Sequence, residues 1–539
     1  MNMKKAILIP LCFLVATVFA QDLNFQWSDP VLVEKKLGLT ESILGANDNT
    51  VFTLKSGKKG QKIVAYDKSS LKMKKELIIK GAKGSVLDSK EFSKLALDFF
   101  HITPEKILVF FSQESKSIER IFALELTTDL VVVGTITKIH EIEVDKGKVT
   151  KTLLVRNKNN PNTNFVLVNE KFNDNNILAE YKVYNSDLKL ADVGKIELPF
   201  NIDKKNRTEY IQRSYRLSDN NILCTITPSK EENPGAPRRK RWTYFTTIGL
   251  TDVSSGDSKI MTLKSDERKY DDITFVSDGS NLFIAGFYYN PDDDGDFQYV
   301  TGFFSTKVNF QRGDLSEVQL FEYDENFYRH FKNNQKAEES NRKAKKEEKR
   351  AKYIIERMTI EQIAVGEGKI NVVCSGMINK SVTTCNSKGQ CTTRYYCVKL
   401  GVIAFNTDRE LKVKSYDVLP RMMVYDGWDV PDVSIAPLKN DAFMVNYGSA
   451  FELEGGAMTG NPKRKDKDVR RSQLEYAILN DEGVLERHEM KLSKINGKES
   501  KDFNLDENGV NSFAGEVFAI CAFRIDGKYQ IAIGKVIEK

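Results

Sequence analysis

Residues 511–539, NSFAGEVFAICAFRIDGKYQIAIGKVIEK, contain three strand-like segments, NSFAG, VFAICAFRI and YQIAIGKVI, after which the chain stops. Each is a short alternating run of apolar and aromatic residues bounded by Gly, Asp or Lys. Upstream, such segments come in fours. SILGAN, TVFTLKS, KIVAYDK and KMKKELII (42–79) form one group, and TLLVRN, NFVLVNEKF, ILAEYKVYN and KLADVGKIEL (152–198) another. Further groups run over 94–138, 210–263, 272–323, 358–419 and 433–492. The last group is therefore one strand short, while FQWSDPVLVEKK (25–36) is a spare strand ahead of the first. A ring closed by strands from both termini accounts for both.

The expected fold is all-β: a β-propeller, eight four-stranded blades closed by the N-terminal strand. The second segment of each group is the most apolar (ILVFF, FVLV, LFIAG, INVVC), as a strand covered on both faces by neighbouring blades requires. Seven blades, or two stacked β-sandwiches, are the competing architectures with the same strand grammar.

Ahead of the spare strand, MNMKKAILIPLCFLVATVFA (1–20) has a basic start, an apolar run and a small-residue end. That pattern reads as a secretory signal peptide cut before Gln21, too short to span a membrane. No later run approaches the roughly 20 apolar residues of a membrane helix. The expectation is a periplasmic or extracellular protein with one propeller domain over 21–539. The formal charge is +6 over 539 residues, two of the positive charges being Lys4 and Lys5 of the leader. So small an excess, on an exported chain, argues against a nucleic-acid partner.

In a four-stranded blade the second-to-third and fourth-to-next-first connections emerge on one face of the disc. The long insertions fall there: SKEENPGAPRRKRW (229–242), NPDDDGDF (290–297), NKSVTTCNSKGQCTTR (379–394) and FELEGGAMTGNPKRKDKDVRR (451–471). The charged segment 332–357 joins them, read as an exposed ion-paired helix between blades 5 and 6. Elaborated loops on a rigid scaffold are where binding residues concentrate.

Each insertion has a functional and a plainer reading. Asn290, Asp292, Asp294 and Gly295 match the start of a calcium loop, in which alternate oxygens converge on a hard cation. Thr301 stands where the bidentate acid belongs, so the alternative is an ordinary Asn-Pro, Asp-Gly hairpin tip and no cofactor. Cys385 and Cys391 have the spacing of a disulfide pinching one hairpin, and Cys374 with Cys397 is a looser second pair. Cys224 and Cys521 read as buried thiols. Arg238, Arg239 and Arg241 with Trp242 offer planar forks and a stacking surface for an anionic polymer such as an envelope glycan, as does the basic loop 463–471; solvated loops are the alternative. Tyr-Asp recurs between blades at Tyr270–Asp271, Tyr323–Asp324 and Tyr425–Asp426, the last followed by Trp428 and Asp429. Aromatics beside carboxylates hold sugars, and paired carboxylates hydrolyse them. Repetition at equivalent places also fits Asp capping a turn and Tyr packing between blades.

The four histidines, His101, His140, His330 and His488, are scattered among different groups, and neither HExxH nor GxSxG occurs. The hairpin LFIAGFYYN…VTGFFSTKV and the element VAYDKSSLK resemble those of secreted propeller-type proteins of Bacteroidetes, over two short patches. The resemblance implies an envelope or secreted propeller and carries over no site residues. The expected function is a non-enzymatic binding or scaffold module whose decorated face takes a protein or glycan. The alternatives are a hydrolase or lyase acting on polysaccharide, through carboxylates near Asp426 and Asp429 or Asp271 and Asp272, and a structural envelope component.

Overall fold

The computed structural model describes most of residues 23–537. Outside the described residues lie 1–22, 33–39, 144–151, 158–163, 200–213, 236–241, 292–298, 328–356, 386–390, 427–433, 447–451, 460–474, 490–493, 506–510 and 538–539, and stretches of one to three residues in several turns. The leader, the bulk of the predicted helical insertion and the basic loop 463–471 are thus outside them. At the insertion's end Arg357 belongs to a strand, Arg357–Val365.

Eight antiparallel sheets form the blades, in chain order 40–80, 96–143, 152–199, 214–264, 269–322, 357–426, 434–489 and 501–537. The eighth takes its fourth strand, Asn24–Trp27, from the other end of the chain, in register with Lys528–Ile537. Its first strand is split into Lys501–Leu505 and Asn511–Phe513; the sequence pattern had shown only the second piece.

Side chains alternate between the two faces of each blade, so a second strand supplies apolar residues to two seams. Leu108 and Phe110 face blade 3, whereas Ile107, Val109 and Phe111 face blade 1. All five are fully buried, which is why second strands are apolar without a break. Apolar clusters fill all eight seams, including the one that shuts the ring, where Ile43, Val51 and Leu71 of blade 1 meet Phe518, Ile520 and Ile531 of blade 8.

The third-to-fourth turns of blades 1 to 7 share one design. Asp67, Thr127, Asn185, Asp252, Asn309, Asp408 and Asn480 each open a turn by accepting a backbone N–H of that turn on a side-chain oxygen. A residue with positive φ closes it: Leu71, Leu130, Leu188 and Leu411 in blades 1, 2, 3 and 6, glycine in the others. Leucine avoids this backbone region because its Cβ crowds the carbonyl. It is held there because its side chain wedges into the seam with the preceding blade; Leu411, φ 67°, is buried among the aromatic rings between blades 5 and 6. Leu411→Gly is therefore expected to be more stable than Leu411→Ala by about 1 kcal/mol, the reverse of the order at an ordinary strand position. Parallel denaturant titrations of the two variants read this directly.

The same face is laced from blade to blade. Lys106 Nζ lies 2.6 Å from Asp187 across blades 2 and 3, Arg409 3.1 Å from Asp278 across 6 and 5, and Lys68 2.7 Å from Glu516 across 1 and 8. Its longest connection between strands spans 310–318. The opposite face carries 81–95, 200–213, 233–241, 290–301, 323–356 and 447–474. One face braces the ring; the other is decorated.

Candidate functional site

The tallest described structure on the decorated face is the blade 6 hairpin. Its strands, Lys369–Cys385 and Cys391–Asp408, are 17 and 18 residues long, against 9 and 8 for the equivalent pair in blade 5. The first strand of the blade is described from Arg357, opposite Met377. The remaining Ile378 to Cys385, at about 3.3 Å per residue, reaches roughly 25 Å farther. The stretch expected as a loop, 379–394, is thus largely strand. The fourth strand accompanies the arm to Asp426 opposite Tyr396, its last described residue, while the two long strands stay paired to Cys385 opposite Cys391. Cys385 and Cys391 stand opposite each other at the tip and form the disulfide, both exposed. Thr383 and Thr393 are hydrogen-bonded across the arm at 3.0 Å. Cys374 has no part in a second bridge: it is buried and free, opposite Ile403, while Cys397 lies opposite Asn379. Cys224 is likewise buried and free, and burial pushes its thiol well above the usual range.

The second cluster lies where the innermost strands of blades 5 and 6 begin. Tyr270 is buried, its ring stacked on Phe304 at 4.2 Å. Asp271 is ion-paired to Lys269 at 2.7 Å and accepts the Asp272 N–H at 3.0 Å. A bulge between Asp271 and Thr274 turns Asp272 to φ 48°. Its carboxylate accepts the Ile360 N–H on the first strand of blade 6. Burial raises its pKa to about 6; the Ile360 N–H opposes this, and the neighbouring Asp271 adds to it. Gln362, at the corresponding bulge of blade 6, accepts the Ile435 N–H of blade 7 at 3.1 Å. Asp272 therefore occupies the same blade-to-blade position as Gln362, but with an ionisable group.

The other Tyr-Asp repeats are placed differently. Tyr323 stacks on Phe327 at 3.9 Å in the seam of blades 5 and 6, and Asp324 accepts the Phe327 N–H at 2.8 Å, capping the turn from which the charged segment departs. Tyr425 and Asp426 end the outermost strand of blade 6, whereas Tyr270 and Asp271 lie on the innermost strand of blade 5. Trp428 and Asp429 are outside the described residues, as are Arg238, Arg239 and Arg241. Trp242 opens the third strand of blade 4 opposite Glu232, which shortens the expected basic loop, since Ser229 to Glu232 already belong to the second strand. Of the calcium candidates, Asn290 donates its N–H to Thr301 Oγ1 at 2.8 Å; Asp292 and Asp294 are outside the described residues.

Sequence reasoning missed the arm. Its β-branched Val382, Thr383, Thr384, Thr392 and Thr393 were the signal available.

No family model matches the chain, and no curated protein does. Among solved structures it overlays the WD40 domain of SCAP from fission yeast with TM-score 0.38 and 11% identity over 95% of this chain and 98% of that one. A Synechocystis apocarotenoid oxygenase mutant gives 0.26 and 8% over 75% and 96%, and a Dos1 propeller 0.24 and 11% over 68% and 75%. Scores this low add nothing to what the sheet order already establishes.

Proposed function

We propose that the protein is an exported binding or scaffold module that takes a protein or envelope glycan on its decorated face. The observation that carries this is that every connection between blade strands longer than that of 310–318, and the disulfide-tipped arm, leave from one side of the ring. On the other side, Lys106, Lys307 and Arg409 are committed to neighbouring blades. The test compares capture from envelope extract by the full chain and by three variants. One replaces 379–394 with a two-residue turn, one has alanine at Arg238, Arg239, Arg241 and the basic residues of 463–471, and one has Lys259→Ala on the braced face. Capture is expected to fall at least tenfold in either of the first two and to be unchanged in the third. Equal capture by all three would overturn the assignment.

A polysaccharide hydrolase is the second reading, favoured by one observation: burial raises the Asp272 carboxyl to about 6, toward the protonated form a general acid needs. Reducing ends released from an envelope glycan would support it, and saturable binding without products would support the module.

A further inference from the structure

Blade 3 meets blade 2 across a seam that is apolar toward the braced face and polar toward the decorated one. Phe110, Ile121, Phe165 and Leu167 belong to its apolar part. Beyond them Glu119 Oε2 accepts the Thr152 N–H at 3.2 Å and its hydroxyl at 2.8 Å. Asn169 stands opposite Thr152 in register, and His140 opposite Ile121, so both side chains enter the same seam. They are 4% and 7% exposed. Neither imidazole nitrogen of His140 has a hydrogen-bond partner, nor does Asn169 Oδ1. Buried polar atoms without partners are uncommon, and three in one seam mark a joint at odds with its own packing.

The charges facing His140 do not help it. Glu119, on the strand beside it, is committed to Thr152. From blade 3 come Lys182, opposite Leu167, and Glu180, opposite Asn169 and paired with Lys171 at 2.7 Å. Burial first, and the Lys182 ammonium second, hold the His140 imidazolium down to a pKa of about 4, against an ordinary 6.5. The imidazole is neutral in the closed seam and takes a proton once water reaches it.

We propose that His140 makes the seam between blades 2 and 3 an acid-released joint, at which the ring parts locally while its other seams stay shut. The direction follows from linkage. The closed form binds fewer protons than the open one between pH 6.5 and 4, so closure is fully favoured above 6.5 and weakens as the pH falls through that window. Asp272 acts in the opposite sense over much of the same range: acid neutralises its buried carboxylate and relieves the seam between blades 5 and 6. Acid therefore loosens the seam between blades 2 and 3 and tightens the one between blades 5 and 6.

Hydrogen exchange of the full chain at pH 7 and pH 4.5, corrected for the intrinsic pH dependence of amide exchange, tests the proposal. Amides of Val132–Glu143 and Thr152–Arg156 are expected to lose protection by roughly 50- to 100-fold relative to those of Asn281–Tyr289. In His140→Phe that loss should disappear. Lys182→Gln keeps the imidazole and removes the ammonium, so the loss should shrink; this variant still reports should His140→Phe fail to fold. Unchanged protection at the two pH values, an equal loss in every blade, or a full loss in His140→Phe would each overturn the proposal.

Discussion

A chain lacking residues 23–32 is expected to lose more than about 5 kcal/mol of stability and to associate through the edge it exposes. The closing strand is held by more than its ladder to Lys528–Ile537. Trp27 lies over Gly534, its opposite number in the register, so closely that a Cβ on the glycine would stand 2.6 Å from the indole. Phe25 stacks on Trp27 at 5.4 Å, and Leu23 is buried in the seam between blades 7 and 8. Ser28 exchanges two bonds with Ile533: its N–H donates to the carbonyl at 2.8 Å, and its hydroxyl oxygen accepts the Ile533 N–H at 3.0 Å. Removing all of these leaves blade 8 three-stranded with a bare edge. Gly534→Val probes the same contact with one residue: the valine must displace the indole, and about 2 kcal/mol should be lost. Guanidinium midpoints and sedimentation velocity report both effects. A midpoint unchanged by the deletion would mean that the ring does not depend on this strand.

The ring itself was legible because it rests on counting and alternation. Four segments per group, one missing at the end and one spare at the start, determine closure without any knowledge of angles. The two patches on which a resemblance to secreted propellers was expected carry structural features. VAYDKSSLK holds the Asp67–Leu71 turn that recurs at Asn185–Leu188 and Asp408–Leu411. In LFIAGFYYN…VTGFFSTKV, Gly286 lies against Phe304 and Gly302 against Tyr288, opposite each other in register. Positions under that kind of constraint say little about a ligand.

The blade 6 arm was missed for a physical reason. KSVTTC and CTTRYY hold almost no aliphatic residues, so they lack the period-two signal that revealed the blades. Contacts across seams were beyond reach as well. Asp272 with Ile360 and His140 with Lys182 are far apart in the chain, and they meet only because successive blades turn about a common axis.

Asp272→Asn is expected to stabilise the ring by about 2–3 kcal/mol at pH 7.5 and to leave it close to the parent below pH 4. The carboxyl of Asp272 titrates near 6 in the fold against about 4 in an unfolded chain, because burial disfavours its charge. The fold therefore binds the proton more tightly, its advantage is complete below the unfolded value, and stability falls as the pH rises through 4 to 6. Asparagine carries no charge to bury, tolerates φ 48° better than most residues, and retains an oxygen for the Ile360 N–H, as Gln362 does for Ile435. Urea titrations at pH 4, 5, 6 and 7.5 should show the two proteins diverging in that window. The difference between them isolates Asp272 from His140, whose contribution runs the other way and is common to both. A parallel pH profile for parent and variant would show that the carboxylate is already charged at no cost. Should the variant gain stability yet lose glycan turnover, Asp272 would be a reacting acid as well as a clamp, and the hydrolase reading would displace the binding module.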